Sequence, residues 1–315
     1  MEELLEKIKN LLIQFAELRD TPVALLDLKE VNEKMPHTVY RMVQGRSFER
    51  LDVILQTPGG DIDAAFQIAK LLRKCTKELN FFIPYYAKSA GTLISLVADN
   101  IYMNDLSELG PLDTQIHEQQ EGSLPGYISA LNGFKALEQV QLHTLETLDI
   151  ATKLILSRTG IKISESIQLA TQFAGITSGT LYAQLNPQRI GEYARALEIG
   201  EYYAIMLLTR YMGWNEEEAE ITIKTMVKQY PSHGFVIDLE ELQKLKLPAK
   251  PMDNTLAEIM FELNELLPEL EDSLIEMIDI EDEEEPEEEV EIVEEPKLIV
   301  VEEKLKPKNT KQNGK

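Results

Sequence analysis

A serine stands between two apolar runs in the stretch Ala87-Lys88-Ser89-Ala90-Gly91-Thr92. The run before it, Phe81 to Tyr86, reads as a strand, and the run after it reads as a helix over 89 to 98. A strand that breaks sharply into a helix presents its turn residue above the sheet edge. The first N–H groups of the new helix can then face a developing oxyanion. Ser89 is therefore a candidate nucleophile, and the alternative is a small residue kept only for close packing, as Ala90 and Gly91 are. About thirty residues upstream, LDVILQTPGGDIDAA, starting at Leu51, repeats the pattern of apolar run, glycine turn and helix. Glycine lets a carbonyl oxygen approach the backbone closely, so the N–H groups of Gly59, Gly60 and Ala90 form a candidate oxyanion hole.

The elements that must position these residues alternate. Strands are expected at 51 to 56, 80 to 86 and 100 to 103, and helices at 61 to 75 and 89 to 98, after a first strand beginning near Thr21. That is an α/β pattern with a parallel sheet. In an open parallel sheet the crevice lies outside the carboxyl ends of the strands, which brings the Gly59-Gly60 turn and the Ser89 turn together. Asp61 sits where a helix N-cap belongs, Asp63 in the first turn, and Asp99 in a turn. Further helices are expected at 128 to 159, 163 to 174 and 187 to 227, with a loop over 117 to 127. His37 and His143 have no partner at ligand spacing, so no metal site is expected.

Composition narrows the function classes. The chain has 315 residues and a net charge of −24, of which the segment 281 to 296 supplies eleven acidic groups and no basic one. An acidic body disfavours nucleic acid and anionic membranes, since both need a basic face. No apolar run approaches the ~20 residues needed to span a bilayer, and the start MEELLE lacks the features of a signal peptide, so a cytoplasmic location is expected. The single cysteine, Cys75, excludes an intramolecular disulfide and lies in a helical pattern, where packing is its expected role.

Four motifs in order, TPGGDIDAA, AKSAGTLISLVAD, SELGPLDTQ and YPSHGFVID, resemble the serine dehydrogenase proteinase family between about Thr21 and Leu247. That family is a branch of the Clp-type and signal-peptide-peptidase-like serine proteases with the crotonase fold. The resemblance implies a serine endopeptidase that needs no cofactor, acts on a peptide or protein substrate and self-assembles into a homo-oligomer. Clp-type proteases carry a histidine about two dozen residues after the serine and an aspartate near the closing strand-helix unit. Here Asp113 stands 24 residues after Ser89, and His233 precedes Gly-Phe-Val-Ile-Asp. The two residue types are exchanged relative to that pattern, which implies a triad of Ser89, His233 as base and Asp113 as its orienter. The signal-peptide-peptidase branch uses a lysine base instead, making Lys135 and Lys153 the alternative bases. Lys88 is a poor base because chain neighbours at a strand end point to opposite sides.

Two other readings stay open. A crotonase-like acyl-coenzyme A enzyme would use the same fold and oxyanion hole without needing the serine, and a non-catalytic oligomeric scaffold would keep only the fold. The expected organisation is an amphipathic helix over 1–20, a Clp/crotonase-like catalytic domain with a largely parallel sheet flanked by helices over 21–250, an amphipathic helix over 251–280, and a disordered tail over 281–315, acidic and then Lys-rich.

Overall fold

A computed structural model describes residues 1–112, 115–118, 126–232 and 234–279. Helix α1 (Glu2–Arg19) leads into strand β1 (Val23–Asp27), helix α2 (Met35–Val43), strand β2 (Phe48–Gln56) and helix α3 (Ile62–Lys74). Strands β3 (Thr76–Ile83) and β4 (Tyr86–Ala87), helix α4 (Ala90–Ser95), and strands β5 (Asn100–Met103) and β6 (Glu108–Leu109) follow. A hairpin of β7 (Gln115–Glu118) and β8 (Gly126–Ser129) precedes helices α5 (Ala130–Thr159), α6 (Ile163–Tyr182), α7 (Pro187–Met206) and α8 (Glu216–Lys228). The fold closes with α9 (Leu239–Lys244), β9 (Ala249–Pro251), α10 (Asn254–Leu266) and β10 (Leu274–Ile278).

The six-stranded sheet has the order β10-β1-β2-β3-β5-β9 and is parallel except for β10, which runs antiparallel to β1. Parallel strands are covered on both faces, and the runs VALLD, DVIL and NFFI are correspondingly apolar and buried. One face, with Leu26, Val53, Leu55 and Phe81, packs on α3, α4 and α8 through Ile68, Leu93 and Met226. The other, with Val23, Leu25, Ile54 and Phe82, packs on α1 and α10 through Ile8, Leu12, Phe15, Ile259 and Leu263. The amphipathic helix expected at the start is therefore a layer of the core.

A polar row crosses that second face. Asp52, Asn80 and Asn100 are register neighbours on β2, β3 and β5. Asn100 Nδ2 donates to Asn80 Oδ1 at 2.7 Å, Asn80 Nδ2 donates to Asp52 Oδ1 at 2.8 Å, and Arg19 Nε reaches Asp52 Oδ2 at 2.6 Å. The Arg19 guanidinium also lies over the rings of Phe82 and Tyr102, 5.1 and 5.4 Å from their centroids. One row thus fastens α1 to three strands with its charge matched.

The structure corrects several expectations. The strand 80–86 is interrupted after Ile83, and a separate short strand, β4, carries the chain to the serine; Pro84 cannot donate to a ladder. The helix 89–98 is only Ala90–Ser95. The expected helix 187–227 is broken by a π-turn over Leu207–Tyr211 and by Gly213 at φ 70°. The helix expected over 251–280 ends at Leu266, before Pro268, and its remainder forms edge strand β10, where Ile275 and Met277 face one side while Leu274 and Ile278 face the other. Met1–Ile280 forms one compact unit, so a boundary at 250 would remove two strands from the sheet. The tail 281–315, apart from this unit, lies outside the described residues.

Candidate functional site

The site is built where β2 and β4 end. Thr57 and Ala87 form a parallel bridge: the Thr57 N–H donates to the Tyr86 carbonyl at 3.0 Å, and the Lys88 N–H donates to the Thr57 carbonyl at 2.9 Å. Ser89 follows directly, with φ 49° and ψ −107°, a conformation outside the regions open to residues with a side chain. Such a residue stores about 1–3 kcal/mol, and strain of this kind persists only where the surroundings hold it. Here the Gly91 N–H donates to the Lys88 carbonyl at 2.8 Å and the Leu93 N–H to the Ser89 carbonyl at 3.0 Å. Thr92 Oγ1 lies 2.8 Å from the Ala87 carbonyl and 2.9 Å from that of Gly110, and it accepts the Gly110 N–H at 3.1 Å. Gly91 is required by contact, since a β-carbon there would lie 2.5 Å from Thr57 Cγ2. Ser89 itself is 5% exposed.

The glycine turn meets the serine turn as the sheet topology requires. A β-carbon on Gly59 would lie 3.0 Å from Ser89 Cβ and 3.5 Å from the Ala90 nitrogen. Gly60, at φ 142°, runs against Val31, whose N–H donates to the Gly59 carbonyl at 2.8 Å and whose carbonyl accepts the Asp61 N–H at 2.7 Å. A β-carbon at Gly60 would collide with the Val31 carbonyl oxygen, so no other residue fits. The three N–H groups differ. That of Gly59 donates to Thr57 Oγ1 at 3.2 Å, whereas those of Gly60 and Ala90 have no hydrogen-bond partner among the described residues. Asp61 caps α3, accepting the Ala64 N–H at 2.7 Å as expected for an N-cap. Asp63 does more than charge the first turn: it accepts the Tyr203 hydroxyl at 2.6 Å, and this bond, with burial, pushes the phenol up to about 12.

His233 and Asp113 lie outside the described residues, and so do the side chains around His117. The segments that flank His233 and Asp113 are described. Tyr230 stacks on Phe235 with centroids 4.6 Å apart, and Ile237 bridges Leu109 antiparallel, two hydrogen bonds of 3.0 and 3.1 Å joining them. Lys135, on α5, donates to the carbonyls of Tyr230 and Pro231, each at 3.4 Å, which sets its ammonium against the segment of His233. Sequence spacing gave no hint of that contact. Lys153 is exposed and pairs with Asp149 one turn earlier at 2.5 Å. Lys88 turns away to Glu108, 2.9 Å distant, in keeping with opposite directions for chain neighbours. Cys75 is buried at the end of α3, where burial pushes its thiol up, an inert setting. Among the described residues no group of three or more His, Cys, Asp or Glu side chains could hold a metal.

A mostly parallel sheet, flanked by helices and carrying a strained serine turn against a glycine turn, defines an α/β fold. Residues 22–162 match the family of ClpP-like SDH-type serine proteinases. The match takes in Gly59, Gly60, Ser89, Asp113, Lys135 and Lys153, and it ends before His233. Two proteins of Methanocaldococcus jannaschii are similar: Uncharacterized protein MJ0137, 41% identical over 105 residues (33% of this chain and 35% of that protein), and Uncharacterized protein MJ1495, 38% identical over 106 residues (33% and 34%). The matched stretch spans about a third of the length of these relatives. Among solved structures, a mutant of the membrane-bound stomatin-specific protease 1510-N is 15% identical with a TM-score of 0.40, covering 73% of this chain and 78% of that one. A ClpP1 mutant from Listeria monocytogenes is 16% identical with a TM-score of 0.25, covering 48% and 80%. No helix among the described residues is long and apolar enough to cross a membrane.

Proposed function

We propose that the chain is a serine endopeptidase with Ser89 as its nucleophile. The observation that carries this reading is the backbone of Ser89, held at φ 49° and ψ −107° against Gly59. A packing serine would relax to an ordinary conformation or be replaced by glycine, whereas a nucleophile gains from being fixed in place. In the reaction Ser89 Oγ attacks the peptide carbonyl carbon and passes its proton to the base. The tetrahedral oxyanion is met by the N–H groups of Gly60 and Ala90, with Gly59 shaping the turn because its own N–H is engaged by Thr57. The base returns the proton to the leaving amine, and water then releases the acyl group by the same steps in reverse.

His233, oriented by Asp113, is the base in this account. A base must be free to accept a proton, and an ammonium that donates to two carbonyls, as that of Lys135 does, acts as a donor and clamps the His233 segment instead. Self-association is part of the proposal: Leu145, Ile163, Phe173 and Ile176, on α5 and α6, are 63, 61, 53 and 78% exposed. Hydrolysis of an unstructured protein such as casein by wild type, Ser89→Ala, His233→Ala and Lys135→Met across pH tests the assignments. Loss of activity in Ser89→Ala and His233→Ala, with the wild-type rate rising through about 6.5, is expected. Retained activity in His233→Ala with loss in Lys135→Met, and a rise at higher pH, would transfer the role to the lysine.

A further inference from the structure

We infer that Lys88 is a positioning residue for this reaction, its ammonium strapping the serine turn to the two segments that lead into Asp113 and out of His233. The inference rests on the reading of Ser89 as nucleophile. Among the described residues the ammonium has three acceptors: Glu108 Oε1 at 2.9 Å, the Leu109 carbonyl at 3.3 Å and the Phe235 carbonyl at 3.4 Å. An ammonium has three N–H groups to give, so the set is complete. Leu109 stands four residues before Asp113, and Phe235 two residues after His233. The Lys88 and Glu108 side chains are 13% and 18% exposed, which keeps water from competing strongly for the pair.

The rest of Lys88 is fixed as well. Its N–H is bonded to Thr57 and its carbonyl to Gly91, so the residue is held at both ends of its backbone and at the tip of its side chain. Gly110 leaves room for the stem, because a β-carbon there would lie 2.7 Å from Lys88 Cδ. A lysine chosen only for solubility would have no reason to be sheltered here. The strained serine needs neighbours that cannot shift, and Lys88 connects it to both distant segments with one side chain. A positioning role follows, separate from the role of base that its direction excludes.

The test uses the full chain and a fluorophosphonate probe, following the rate of adduct formation at Ser89, with amide exchange at Ile237 as a second readout. Lys88→Met keeps the stem and removes the donors; Lys88→Met with Glu108→Gln also removes the carboxylate left unmatched. We expect both variants to label at least tenfold more slowly than wild type, kcat for peptide hydrolysis to fall by a similar factor with KM within about twofold, and Ile237 exchange to quicken at least tenfold. A double variant that labels at the wild-type rate would overturn the inference, since neutralising a buried carboxylate would then be the whole role of Lys88. Wild-type protein that takes no adduct at Ser89 would overturn the nucleophile reading instead. In that case Ile237 exchange still decides the strap, and unchanged protection in Lys88→Met would overturn it.

Discussion

Two polar regions interrupt the apolar sheet, and they are built to opposite ends. Across the middle of the sheet, Asp52, Asn80 and Asn100 share one row with Arg19, both carboxylate oxygens of Asp52 and the side-chain carbonyl of Asn80 meeting a donor. At the carboxyl ends of β2 and β4, the polar groups are the serine in a strained turn and two N–H groups, of Gly60 and Ala90, with no hydrogen-bond partner among the described residues. Buried polar groups are ordinarily paired, and leaving one unpaired costs about 1–3 kcal/mol. The matched row holds layers together. The N–H groups of Gly60 and Ala90 are donors of the kind that stabilising a developing negative charge requires, the role we propose for them.

The largest effect that would sharpen this contrast is on the matched row. Asp52→Ala removes one partner and leaves Arg19 and Asn80 facing an apolar layer; we predict a loss of about 3–5 kcal/mol in chemical denaturation, with the activity of the folded fraction unchanged. A loss below about 1 kcal/mol would show that water reaches the row. At the strained turn the sign reverses. Glycine accepts a positive φ, so Ser89→Gly should be more stable than Ser89→Ala by about 1 kcal/mol while both are inactive. Equal melting temperatures would mean that the turn stores no strain.

The smallest effect concerns Asp27, beside these ends on β1. Burial raises its carboxyl above the ordinary 3.8, although Lys29 Nζ at 2.8 Å pulls it down. The folded state then holds the proton more tightly than the unfolded state, so this group adds stability at low pH and loses it as pH rises past 3.8. Asp27→Asn should flatten that part of the stability profile, measured by urea denaturation between pH 3 and 6. A profile as steep as that of the wild type would place the slope in other carboxylates.

The turn was legible in the sequence because its constraints are local. Gly59, Gly60, Gly91 and Ala90 are small for reasons that a strand-turn-helix pattern exposes, and Asp61 announces its helix through capping chemistry. The matched row was not legible, since Asp52 inside an apolar strand looks like an interruption until Asn80 and Asn100 are set in register beside it. Lys135 meets Tyr230 and Pro231 across 95 and 96 residues, a pairing no periodicity encodes. Residues 274–278 were misread because the apolar positions of α10 were extended past Pro268, when Leu-Ile-Glu-Met-Ile could add a sixth strand to the edge of β1.

The central claim is that the strained serine reacts and that ordinary serines do not. Incubating the intact protein with a fluorophosphonate and mapping the adduct by mass spectrometry tests it directly. The account predicts one stoichiometric adduct on Ser89, absent from Ser89→Ala and abolished by prior unfolding. A folded protein that remains unlabelled, or one labelled equally at another serine, would contradict it.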